Sequence, residues 1–65
     1  MTGPMPAHVA QFLESALDEE PAPQTFKERN WRQVLLAERL RGQYDVDPVD
    51  ALIWVSKPYR ARFPQ

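Results

Sequence analysis

The stretch "DPVDALIWVSKPYR" (Asp47–Arg60) decides how this chain folds. Leu52, Ile53, Trp54 and Val55 stand in an unbroken apolar row, and Lys57, Pro58 and Arg60 follow at once. Asp47 before Pro48 reads as an N-cap with proline at the first helical position, and Asp50 falls in the first turn, where the macrodipole favours acid. These signals predict a helix over about 48–57. Pro58 ends it, because the residue before a proline avoids the α region. On such a helix Val49, Leu52, Ile53 and Val55 cover one side, while Ala51 and Trp54 point away from Ile53. A helix apolar nearly all round is buried nearly all round, yet a core this small cannot surround one of its own helices. Leu52 and Ile53 are therefore expected in the core, with Trp54 covered by something else. A strand over 51–55 is the competing reading, since Ile, Trp and Val favour strands and short apolar runs do not settle the period. The Asp-Pro start favours the helix.

Upstream, Thr25 followed by Glu28 is a capping box. It opens a helix over about 26–41, which Gly42 would stop in the left-handed C′ conformation. Phe26, Leu36, Ala37 and Leu40 share one face of this helix. Trp31 and Leu35 fall on the other, with Val34 nearer Trp31, so the helix is expected to pack on two neighbours. "QYDVD" (Gln43–Asp47) alternates polar and apolar residues and suits a short extended connection. At the other end, Val9, Phe12, Leu13, Ala16 and Leu17 recur at the spacing of one apolar helical stripe over about 6–17. The acids Asp18, Glu19 and Glu20 oppose the negative end of a helix dipole and mark its end. The 7 prolines sit at these boundaries. The expected fold is all-α: a single small domain over 1–65, built as a three-helix bundle with an extended basic-aromatic arm over 58–65.

Length sharpens the expectation. A domain near 65 residues buries only about 60% of its unfolded surface, and its area-minus-entropy sum falls close to zero. The chain has 0 cysteines, so no disulfide or thiolate site can staple it, and its single histidine, His8, offers no paired imidazole site. Self-association or a partner protein is the remaining staple, and an oligomer is expected. The lack of cysteine fits a reducing compartment. The longest apolar run is far below the ~20 residues of a membrane span. "MTGPMPAHVA" has neither the basic region nor the apolar core of a signal peptide, and a cytoplasmic location is expected.

Chemistry-bearing patterns are scarce. "DVDPVD" resembles a calcium loop, but counting from Asp45 the positions for glycine and glutamate hold Asp50 and Ser56. His8 has no serine, cysteine or carboxylate at triad spacing, and Gly3 and Gly42 alone cannot make a phosphate loop. No catalytic, cofactor-binding or metal-ligating residue and no cofactor is expected, and the chain is not expected to be an enzyme.

What remains points to a macromolecular partner. The net charge of −1 hides alternating acidic and basic segments, whereas nucleic-acid surfaces usually show a basic excess. Arg29, Arg32 and Arg39 share one side of the second helix and could meet phosphates. The alternative, favoured by the flanking acids, is a solvated face with Glu28 pairing Arg32 and the rest reaching the acids of the first helix. The tail "KPYRARFPQ" interleaves bases with aromatics. It suits stacking on single-stranded nucleic acid, docking across a protein neighbour, or folding back on its own core. Candidate partner-binding residues are Trp54, Trp31, Leu35, Tyr59, Arg60, Arg62 and Phe63. In size and style, though not in motif, the chain resembles small bacterial or phage regulators and antitoxins. The expected function is a non-enzymatic protein–protein interaction module, self-associating or bound to a larger protein that it regulates or assembles. The competing expectation is a small DNA-binding regulator using the second helix or the tail.

Overall fold

The computed structural model describes residues 4–64 and contains three helices, with no strand among the described residues. They are α1 (Ala7–Glu19), α2 (Phe26–Gln43) and α3 (Pro48–Arg62). Residues 51–55 are helical, which excludes the strand reading.

Helix α1 buries Val9, Leu13, Ala16 and Leu17, with Phe12 half-buried beside them, as its apolar stripe predicts. Asp18 and Glu19 stay in its last turn, and Glu20 leaves in an extended conformation (ψ 132°) that the following Pro21 favours. Helix α2 starts where the capping box places it: Thr25 Oγ1 accepts the Glu28 N–H at 3.0 Å. The reciprocal bond falls one residue upstream, from the Gln24 N–H to Glu28 Oε1 at 3.0 Å. Helix α2 then continues through Gly42 to Gln43, and no glycine among the described residues has positive φ. The expected left-handed stop is not used, because Tyr44 ends the helix instead. Its N–H bonds the Leu40 carbonyl at 2.9 Å, its backbone turns extended, and its ring lies 4.7 Å from His8 and 6.0 Å from Phe12.

Helix α3 begins as expected, with Asp47 Oδ1 accepting the Val49 N–H at 2.9 Å. It does not stop at Pro58. The segment 58–62 is helical rather than an extended arm, and Gln65 lies outside the described residues. An interior proline forfeits one helical hydrogen bond and costs about 3 kcal/mol. Contacts that require the continued helix offset this. Tyr59 is completely buried, the Phe63 ring sits 4.9 Å from it, and Arg62 Nη2 donates to Asp18 Oδ1 at 2.6 Å.

The longer helix reassigns the apolar row. Ala51, Val55 and Tyr59, one turn apart, form the buried stripe of α3 and meet Leu36, Ala37 and Leu40 of α2 and the α1 stripe in one core. Leu52 and Ile53 were expected in that core, but they are exposed together with Val49. Trp54 was expected to point away, yet it is half-buried against the core edge. Cutting the helix at Pro58 hides Tyr59, and without Tyr59 the bulk of Leu52 and Ile53 decides the wrong face. Helix α2 packs chiefly on α3, and α1 on α3. The second neighbour expected for the Trp31 side is absent among the described residues, and Phe26, expected beside Leu36 and Leu40, is exposed.

Candidate interaction surface

Among the described residues, the outer faces of α2 and α3 carry exposed apolar side chains. On α2 the core-facing side is defined by Arg29, Gln33, Leu36, Ala37 and Leu40. At 100° per residue, Trp31, Val34 and Leu35 lie on the opposite side, and Trp31 is 60% exposed. Trp31 and Val34 line a shallow, largely apolar groove with Thr25, Lys27, Glu28 and Asn30. On α3 the outward side carries Val49, Leu52 and Ile53, and a second shallow groove continues from Leu52 and Ile53 over Ser56, Lys57 and Arg60. The Ser56 hydroxyl donates to the Leu52 carbonyl at 2.7 Å, so its polar atom is turned onto its own helix. Helical spacing forms both stripes. They stay exposed because the core lies on the opposite sides of both helices, where Ala37 and Ala51 are buried.

The arginines of α2 do not form one open basic stripe. Arg29 is buried, with its guanidinium 4.9 Å from the Phe26 ring. Arg32 Nε donates to Glu28 Oε2 at 2.9 Å, and both Arg32 and Arg39 approach the Glu20 carboxylate at 4.0 Å. Arg39 also lies 5.7 Å from the Phe12 ring. The Gln24 N–H, then Arg32, hold the Glu28 carboxyl below its ordinary range, and the Glu28 bond raises Arg32 in turn. Burial, and next Glu20, raise the Tyr59 phenol. Its Oη, like Trp54 Nε1, is buried without a hydrogen-bond partner among the described residues.

The structure separates the candidate residues. Trp31 and Leu35 fall on one exposed face, and Arg60 falls on the other. Tyr59 is fully buried and cannot be a contact in this fold, Phe63 is half-buried against it, and Arg62 is held by Asp18. Trp54 keeps only part of its ring exposed. Val34, Val49, Leu52 and Ile53 belong to the exposed faces and lie outside the candidate set that the sequence offers. Val34 carries a sequence signal, since it completes an i, i+3, i+4 pattern with Trp31 and Leu35 on a side that lacks the core leucines. Among the described residues no group of three or more His, Cys, Asp or Glu is placed to hold a metal ion. Among the described residues no helix is long and apolar enough to cross a membrane. Compared with protein-family models, curated proteins and solved structures, the chain matches none.

Proposed function

We propose that this chain is a non-enzymatic protein-interaction module that offers the outer faces of α2 and α3 to protein surfaces. One observation carries the reading: large apolar side chains, led by Trp31, stand exposed in helical register on the sides of α2 and α3 that the core leaves uncovered. Keeping such side chains in water forgoes about 1.5–3 kcal/mol each relative to burial. Tryptophan is also among the residues that most often anchor interfaces. The engagement of Arg29, Arg32 and Arg39 within the chain weighs against phosphate contacts by α2.

The test is site-specific photo-crosslinking in the producing cell, with the reactive side chain placed at Trp31, at Ile53 or at the exposed Ser15 of α1. Discrete protein adducts at positions 31 or 53, and none at 15, are the expected result. Equal labelling at all three positions defeats the reading. So does binding to random duplex DNA with a steep salt dependence, the signature of phosphate neutralisation.

A further inference from the structure

We propose that the outer face of α2 pairs with the same face of a second copy, antiparallel, about a two-fold axis between Arg32 and Gln33. This rests on the interaction-module reading and names its partner. Lys27, Trp31, Val34 and Glu38 are spaced 4, 3 and 4 residues apart. That is the seam of a two-stranded helix pair, and Leu35 flanks it. All of these side chains are exposed. The seam lies opposite the buried Arg29, Gln33, Leu36, Ala37 and Leu40. A second helix can therefore approach without meeting α1 or α3.

The charges at the two ends of the seam commit it to its own copy. In the antiparallel arrangement Trp31 faces Val34 of the second copy, and Lys27 faces Glu38 of the second copy; the two-fold repeats both contacts. One end of the seam carries Lys27, the other carries Glu38 with Arg41 beside it, and the middle is apolar, so the seam positions are complementary to themselves reversed. A parallel pair would instead put Lys27 on Lys27 and Glu38 on Glu38. Lys27 makes no ion pair among the described residues. Glu38 bonds Arg41 of its own helix at 3.1 Å and keeps 61% of its side chain exposed. By the same register Arg41 faces the neutral Gln24. The seam spans three turns, about 16 Å. So short a contact belongs with the small, weak class of interfaces, and association is therefore sought across the micromolar range.

The experiment is sedimentation equilibrium of the full chain over about 1–500 µM, on the parent, Lys27→Glu, Glu38→Lys, the double variant, Trp31→Ala and Ile53→Ala. The parent mass should rise from one chain to two. Each single charge reversal and Trp31→Ala should weaken association by roughly tenfold or more, while the dilute monomer keeps its helical circular dichroism; Glu38→Lys also gives up the exposed pair with Arg41, which costs the monomer little. The double variant, and an equimolar mixture of the two single charge variants, should recover parental association, because each restores opposite charges across the pair. Ile53→Ala should change nothing. A parent that stays monomeric overturns the proposal, as does a dimer indifferent to Trp31→Ala, or charge variants that fail to complement. If the chain is monomeric yet position 31 crosslinks to a different protein, self-pairing is wrong while the interaction-module reading stands.

Discussion

Arg62 Nη2 donates to Asp18 Oδ1 at 2.6 Å, joining the last turn of α3 to the last turn of α1 across 44 residues of sequence. The bond exists only because the helix passes Pro58. Both side chains are largely solvated, 44% and 64% exposed, so an interaction of about 0.2–1 kcal/mol is expected. A double-mutant cycle of Arg62→Ala and Asp18→Asn, read from denaturant melts, measures it. Coupling should shrink as salt rises, and no coupling at low salt would mean that the two ends are not joined in solution.

Pro58 offers a direct test of the helix extension. In a helix interior proline costs about 3 kcal/mol against alanine, and at most about 1 kcal/mol of that is offset by its restriction of the unfolded chain. Pro58→Ala should therefore raise stability by about 2–3 kcal/mol and increase helical circular dichroism. An unstructured arm would leave both unchanged or lower the stability.

Tyr59 and Ile53 separate core from surface. Tyr59→Ala should cost about 3–5 kcal/mol, as for other large buried aromatics, and so small a domain would melt near room temperature. Ile53→Ala, at an exposed position, should change stability by no more than about 0.5 kcal/mol. Tyr59→Phe should be neutral or slightly stabilising at pH 7, because its buried Oη has no partner among the described residues. Its folded-state pKa is raised above the ordinary 10.0. Parental stability should therefore fall as pH climbs past that value, since the unfolded chain releases the proton first. Tyr59→Phe should remove that part of the alkaline loss. Matching alkaline melts of parent and variant would contradict the burial of Tyr59.

Glu28 sets an acid dependence of opposite sign. Its folded pKa lies below the ordinary 4.5 because it accepts the Gln24 N–H and the Arg32 guanidinium. The stabilisation is complete above 4.5 and disappears as pH falls through the lowered folded value. Glu28→Gln should melt lower than the parent at pH 7, and the difference should close as pH falls below the ordinary 4.5 and through the lowered folded value. A constant offset across that range would show that the carboxylate charge is not involved.

Local chemistry made much of this fold legible in the sequence. Thr25 and Asp47 announced two helix starts because a side-chain oxygen three or two residues from an unsatisfied N–H has little choice of partner. The α1 stripe was legible because Val9, Leu13, Ala16 and Leu17 leave one apolar side only. Proline and glycine were weaker guides, because both act through preferences of a few kcal/mol at most, and tertiary contacts of similar size override them. Tyr44 docking on His8 and Phe12 moved the end of α2 past Gly42, and burial of Tyr59 carried α3 past Pro58. The face of α3 followed from that extension, since the partners of Ala51 and Val55 along the helix include a residue beyond the proline. Trp31 and Leu35 were recognisable as apolar and off the leucine face of α2. Whether anything within the chain would cover them depended on where α1 and α3 came to rest. They came to rest together on the far side of α2, because one core of alanines, leucines, valines and a single tyrosine buries more apolar area than two smaller ones could.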